Sequence, residues 1–252
     1  MTTGPGAAIE PDLEAEARRL LAAISERGLS MRLIGGMAIK MVAGDRLDPA
    51  FERPIQDLDF VVSKRDRKDA QELLRAAGYV GHEQFNALNG ARRLLYFDLA
   101  NDRQVDVFVG SFQMCHALPL AERLDARDDT LPSADLVMTK LQIVELNTKD
   151  RGDLFALLGS VRPGELEVDR IASLAADDWG LHHTFELNLG RLREGLAELP
   201  VDADRKAAIL TQLDAIDEAI RDVPKTRRWK VRARIGERKR WYDEPEEVDR
   251  EV

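Results

Sequence analysis

The chain has 252 residues, a formal net charge of −9 and 44% hydrophobic residues, which is enough apolar material for a buried core. A single cysteine excludes an internal disulfide and a cysteine-rich metal site. The first eleven residues lack the basic start and apolar run of a signal peptide, and no later run is long enough to span a bilayer. We therefore expect a cytoplasmic globular protein with no membrane partner.

Hydrophobic periodicity predicts helices and strands in the first half of the chain and helices alone in the second. In the first half, helices are predicted over residues 12–27, 37–44 and 65–77, and strands over residues 31–34, 55–62, 93–99 and 104–109. Asn101 and Asp102 are the predicted turn of a hairpin formed by the last two strands. In the second half, helices are predicted over residues 134–147, 150–158, 165–176, 181–199 and 203–221. The fold class is therefore α+β, with one domain at residues 1–130, an all-helical domain at 131–224 and a basic then acidic tail at 225–252.

Two aspartates separated by one residue lie on the strand predicted over residues 55–62. Because side chains alternate across a strand, the carboxylates of Asp57 and Asp59 are expected on the same face. Adjacent carboxylates repel each other, and such hard oxygen ligands suit Mg²⁺ or Mn²⁺. Asp106, which alternates with valines on the strand predicted over residues 104–109, is the third candidate ligand. A role as ordinary acids on the wet face of a strand stays open on this pattern alone.

A glycine pair joins the first predicted strand to the helix that follows it. Gly35 and Gly36 would let the backbone approach an anionic ligand, and the start of the helix would present free N–H groups to phosphate. A phosphate-binding turn and a dicarboxylate metal site in one sheet indicate nucleotide chemistry.

These segments resemble the motifs of the polymerase-β-like nucleotidyltransferases. The sequences LIGGMA (residues 33–38), RPIQDLDF (53–60) and VDV (105–107) are similar to the Gly-Gly/Ser, Asp-x-Asp and third-Asp motifs of that superfamily. Within it, the chain is most similar to the AbiEii-type toxin nucleotidyltransferases, whose Lys-Leu and Asp-x-x-Asp motifs match residues 140–141 and 150–153. Gly36 stands where many members have a serine, and Arg92 and Arg93 are loose matches to a basic motif of the toxin relatives.

The resemblance implies a mixed sheet with flanking helices and a two-metal reaction. A nucleoside monophosphate would pass from an NTP to an acceptor hydroxyl, and pyrophosphate would leave. Asp57 and Asp59 would hold the ion that binds the triphosphate, and Asp106 would complete the site of the second ion. Gly35 and Gly36 would shape the phosphate turn.

Four further residues are candidates for the same site. Lys140 lies in an apolar stripe of its predicted helix, so it either contacts the triphosphate or extends along the core edge to water. Asp150 and Asp153 lie near a helix start, where acids are favourable for electrostatic reasons alone. Arg53 opens the segment that contains the Asp-x-Asp motif and is included as a further candidate.

The sequence does not decide between different classes of acceptor. Residues 225–240 carry nine basic residues and one acidic residue, with Trp229, Trp241 and Tyr242 nearby, a combination that favours either single-stranded RNA or a basic tail folded onto acidic surface. An RNA or tRNA end, with a cognate antitoxin as partner, is one expectation. A small-molecule acceptor such as an aminoglycoside is another, and a non-catalytic nucleotide- or RNA-binding module is the third.

Overall fold

A five-stranded mixed sheet forms the centre of the first half of the chain. The computed structural model describes residues 9–124 and 128–244. The strands are β1 (Met31–Ile34), β2 (Leu58–Val62), β3 (Val80–Gly81), β4 (Arg93–Asp98) and β5 (Arg103–Val109). Their order across the sheet is β1-β2-β5-β4-β3. The central pair β2 and β5 is parallel and every other neighbouring pair is antiparallel, which confirms the predicted α+β fold class with a mixed sheet.

Four helices flank this sheet. They are α1 (Leu13–Glu26), α2 (Gly35–Ala43), α3 (Arg67–Ala76) and α4 (Glu83–Asn89). Asp12 caps α1 by accepting a hydrogen bond from the backbone N–H of Ala15. The sequence analysis missed the short elements β3 and α4. The strand predicted over residues 55–62 begins only at Leu58, so the first aspartate of the Asp-x-Asp pair lies just before β2.

The second half is mainly helical. Its helices are α5 (Ser133–Leu141), α6 (Thr148–Ser160), α7 (Val168–Asp177), α8 (Trp179–Glu198) and α9 (Ala203–Asp222). The helix predicted over residues 134–147 ends at Leu141, because Asn147 caps α6 by accepting from the backbone N–H of Asp150. A short antiparallel hairpin, β6 (Ser111–Gln113) with β7 (Ala117–Pro119), precedes these helices and was not predicted.

The two halves share one apolar core. Buried residues form a continuous cluster from α1 and the sheet through α2, α5 and α6 to α9. The helix α2 lies at the centre, because it contacts β1 and β2 on the sheet side and α5 and α6 on the helical side. Burial of this cluster therefore fixes the start of α2 relative to elements that are distant in sequence.

The described part of the predicted tail folds back onto the helical half. Its helix α10 (Arg227–Ala233) contacts α7 and α8. Arg228 pairs with Asp177 at 3.5 Å, and His183 lies 2.9 Å from Glu237. The acidic end of the tail after residue 244 lies outside the described residues. Within residues 9–124 and 128–244, no helix combines the length and apolarity needed to cross a membrane.

Candidate active site

The aspartates of the two central strands lie side by side. Asp59 on β2 is in register with Asp106 on the parallel neighbour β5, and Ile34 at the end of β1 pairs with Asp59 on the other side. Asp57 precedes β2 and its Oδ1 accepts a hydrogen bond from the backbone N–H of Gln104 at 3.3 Å. The three aspartates thus lie near the start of β2, beside the first half of β5.

Asp106 is buried and already has two polar partners. Its Oδ1 accepts from Nε of Arg93 at 2.7 Å, and its Oδ2 accepts from Nε2 of Gln104 at 2.6 Å. In the portion of the chain that the structure describes, no three acidic, histidine or cysteine side chains are arranged around a shared metal position. Arg93 binds one oxygen of Asp106 that an ion between the strands would use.

Crowding of negative charge changes the proton affinity of Asp59. Burial raises the pKa of its carboxyl from 3.8 to about 7, and repulsion from Asp106 and then Asp57 acts in the same direction. The positive charges of Lys140 and Arg93 oppose this rise without cancelling it. The local field therefore favours a proton or a cation at Asp59.

The first turn of α2 lies directly against this carboxylate. Gly35 has φ +71°, and a Cβ atom at this position would overlap Oδ2 of Asp59. Only glycine satisfies both the backbone conformation and the close approach. No side chain caps the start of α2, where Ile34 is the N-cap residue, so no capping side chain competes with phosphate for its first N–H groups.

Arg53 occupies the space beside the second glycine. A Cβ atom at Gly36 would lie 2.6 Å from Nη2 of Arg53. The guanidinium group donates two hydrogen bonds of 2.8 Å to the two carboxylate oxygens of Asp153, so its position is fixed. Arg53 therefore occupies the space that a side chain at residue 36 would need. This gives a physical reason for glycine at a position where many members of the resembled superfamily have serine.

Lys140 completes a second charged cluster on the helical side of α2. Its Nζ lies 2.8 Å from Oδ1 of Asp150 and 3.0 Å from Oδ2 of Asp153. Burial alone would raise the pKa of Asp153, but Arg53 and Lys140 outweigh it and lower that pKa below 3.8. Both aspartates are buried, so favourable electrostatics near a helix start do not fully account for them. The structure brings together all four of the additional candidates from the sequence.

A cleft of about 320 Å³ opens beside this cluster. Gly36, Arg53 and Asp153 form one end, and Phe51 and Ile55 contribute apolar walls. The sequence analysis did not identify this cleft, because its walls come from the irregular segment between α2 and β2. The sequence analysis also did not assign Gln104 and Arg93 as partners of Asp106. Both residues lie on the two strands of a predicted hairpin, so the pairing of these strands could have indicated the contacts.

Comparisons with known proteins identify the family of the chain. The sequence matches the family described as uncharacterised nucleotidyltransferase over residues 11–188, which includes all nine candidate residues. The chain belongs to this nucleotidyltransferase family and is an enzyme of that class. No curated protein gives a significant match. Among solved structures, the chain is similar to the antibiotic-resistance factor ANT(2'')-Ia with 14% identity, 72% coverage of this chain, 95% coverage of that chain and a TM-score of 0.42.

Proposed function

We propose that the protein transfers a nucleoside monophosphate from an NTP to an acceptor hydroxyl, with Asp57, Asp59 and Asp106 as ligands of Mg²⁺ or Mn²⁺. The observation that carries the proposal is the register of Asp59 with Asp106 on parallel neighbours, directly against the glycine at the start of α2. Carboxylates on one side and free helix N–H groups on the other are the two parts that metal-assisted nucleotide transfer needs.

The residues fit a divalent cation on the basis of their charge. The charges of Asp106 and Asp57 add to the effect of burial in raising the pKa of Asp59 to about 7, so added positive charge is favourable at this carboxylate. Oxygen ligands of this kind suit Mg²⁺ and Mn²⁺. A bound ion would neutralise the triphosphate and lower the pKa of the acceptor hydroxyl. For Asp106 to become a ligand, Arg93 must release one of its oxygens.

The chain's own groups hold the phosphates in this proposal. The N–H groups at Gly35 and Gly36 bind phosphate oxygens, and the guanidinium group of Arg53 lies beside them as a further donor. Lys140 positions Arg53 indirectly, because both side chains bind Asp153. Direct contact of Lys140 with the triphosphate, one of the two roles that its place in an apolar stripe left open, stays a prediction.

For the acceptor we propose an RNA hydroxyl, such as a tRNA end, in the cytoplasm. The resemblance to toxin nucleotidyltransferases supports this choice, and a cognate antitoxin belongs to the same proposal. The cationic residues of the C-terminal segment add support, because phosphate contacts dominate the affinity of proteins for nucleic acids.

The test is a transfer assay with matched variants. Purified protein is incubated with each labelled NTP, Mg²⁺ or Mn²⁺, and either total RNA or an aminoglycoside mixture. We expect label in RNA, and a loss of at least about 100-fold with Asp59→Asn, because removal of the charge abolishes metal binding without changing shape. The control Asp69→Asn changes an exposed acid on α3 and should keep full activity. Full activity in Asp59→Asn contradicts the proposed site, and label in the aminoglycosides alone contradicts the acceptor.

A further inference from the structure

The C-terminal segment, residues 225–244, encloses a cavity of about 770 Å³ against the start of α8 and the β6–β7 hairpin. Five cationic side chains line it: Arg227, Arg228, Arg232, Lys239 and Arg240. The acids on its walls are Asp177, Asp178 and Asp243, so cations outnumber them. In a chain with a net charge of −9, this is a local reversal of sign. Such a cavity attracts an anionic ligand.

The C-terminal segment is held in place by contacts with the rest of the protein. The backbone oxygen of Trp241 lies so close to α8 that a Cβ atom at Gly180 would approach it to 2.5 Å. Nε1 of Trp241 donates to Oγ1 of Thr184 at 3.1 Å, and the backbone N–H of Asp243 donates to the carbonyl of Cys115 at 2.9 Å. The segment is thus held against both the helices and the hairpin.

Aromatic rings with cations over them provide flat surfaces in the same cavity. Trp179 stacks on His183 with ring centroids 4.9 Å apart, and the guanidinium carbon of Arg232 lies 4.8 Å from the centroid of Trp179. Tyr242 has Arg240 over its ring at 4.9 Å. A base can stack on such a ring while its phosphate contacts the neighbouring cation. Simple anions would use the charges but not the rings.

A second cavity adjoins the first. Asp243 lines both, and the walls of the second, which has a volume of about 300 Å³, include Arg92, Arg93 and Phe108. Arg93 is the residue that donates to Asp106. The shared wall at Asp243 therefore links the first cavity to one that borders the arginine bound to Asp106.

We propose that this cavity binds single-stranded RNA and directs its end toward Asp106, an assignment that rests on the proposed function for the role of the RNA hydroxyl. Cations contact phosphates, and Tyr242 stacks with a base. The carboxylates of Asp177 and Asp243 can accept hydrogen bonds from ribose 2′-hydroxyl groups, which favours RNA over DNA.

The experiment compares two triple substitutions in one segment. Arg227→Gln, Arg228→Gln and Lys239→Gln together remove three exposed cations that line the cavity. The control removes three exposed cations outside it: Lys230→Gln, Arg234→Gln and Arg238→Gln. Binding of a labelled single-stranded RNA is measured by fluorescence anisotropy at several salt concentrations, in EDTA and without NTP.

We expect the cavity variant to lose at least about tenfold in affinity and about two units of the log–log salt slope, since each phosphate contact contributes about 0.7 for single strands. The RNA affinity of the control variant should stay within about threefold of that of the native protein, because salt screens the long-range attraction of cations outside the cavity. Tyr242→Leu removes a stacking surface without removing charge, so it should weaken binding by about fivefold or more while leaving the slope unchanged.

Equal losses in the two triple variants would overturn the proposal, because charge alone would then explain binding. Equal affinity for DNA of the same sequence, or equal competition by a polyglutamate peptide, would overturn the RNA assignment. Asp59→Asn should bind RNA normally, since the cavity does not include that carboxylate. The cavity variant could lose RNA affinity while the control variant keeps it, and the native protein could still transfer label to no acceptor. That result would contradict the proposed catalysis and support the RNA-binding site.

Discussion

Two groups of aspartates flank α2, and they differ in the charges that surround them. On the sheet side, Asp59 lies among like charges, and its pKa is raised to about 7. On the helical side, Asp153 lies between Arg53 and Lys140, and its pKa is lowered. The residue type is the same, so the difference arises from the neighbours.

This contrast separates a site that needs a cation from one that already contains its cations. In the second cluster, the ion pairs link α5, α6 and the segment before β2, so the cluster fixes the walls around the start of α2. In the first, negative charge exceeds the positive charge supplied by Arg93 and Lys140. Substitutions should therefore affect stability on the helical side and chemistry on the sheet side.

The largest effect on stability is expected for Lys140→Met. This change leaves Asp150 and Asp153 buried with only Arg53 opposite one of them, and loss of one partner from a buried pair costs about 3–5 kcal/mol. Chemical denaturation of native and variant protein at neutral pH measures the difference in the free energy of unfolding.

Lys149→Met is the matched control for that measurement. Lys149 is exposed on α6, one residue before Asp150, so its loss should change stability by less than about 0.5 kcal/mol. If Lys140→Met were as stable as this control and bound NTP more weakly, Lys140 would belong to the phosphate site, which is one of the two roles that the sequence left open.

A smaller and asymmetric effect is expected at the two glycines. Gly35→Ala combines φ +71° with overlap of Asp59, so we expect a loss of about 2–3 kcal/mol in stability together with loss of transfer. Gly36→Ala displaces only the end of the Arg53 side chain, and the higher helix propensity of alanine offsets part of the cost. It should cost about 1 kcal/mol or less and mainly weaken NTP affinity, measured by calorimetry. Equal effects at both positions would contradict the close approach at Gly35.

The sequence predicted the parts of this site that depend on local pattern. The strands that carry Asp59 and Asp106 follow from alternation, and the hairpin of β4 with β5 follows from the turn at Asn101 and Asp102. By contrast, Arg53 and Asp153 are 100 residues apart, and no period or motif in one sequence encodes their pairing. The β6–β7 hairpin was also missed, since strands of three residues show too little alternation to detect.

The docking of the C-terminal segment depends in the same way on tertiary structure. The sequence indicated a cluster of cations with aromatic residues and left its location open. Its contact with α8 depends on Gly180, because only the absence of a side chain there admits the backbone of Trp241. A glycine inside a helix lowers the stability of the helix. The sequence alone does not indicate which distant segment packs against such a glycine.

A dependence of stability on pH is also expected, and it arises from Asp59. Its folded pKa of about 7 lies above the unfolded value near 3.8, so the folded state binds the extra proton between these values. In metal-free buffer, stability should therefore fall as pH rises from about 4 to about 7 and should then level off. The contribution of this one group between pH 5 and pH 7 is about 2 kcal/mol.

Asp59→Asn isolates that contribution, because asparagine has no proton to lose. The difference in free energy of unfolding between native protein and variant, measured in EDTA at several pH values, should change in favour of the variant as pH rises to about 7. Added Mg²⁺ should stabilise the native protein above that pH and leave the variant unchanged, since an ion that binds only the folded, ionised carboxylates shifts the equilibrium toward them. A difference that is flat across this range would mean that the carboxyl of Asp59 ionises in the folded protein as readily as in the unfolded chain. The contrast between the two aspartate clusters would then be lost.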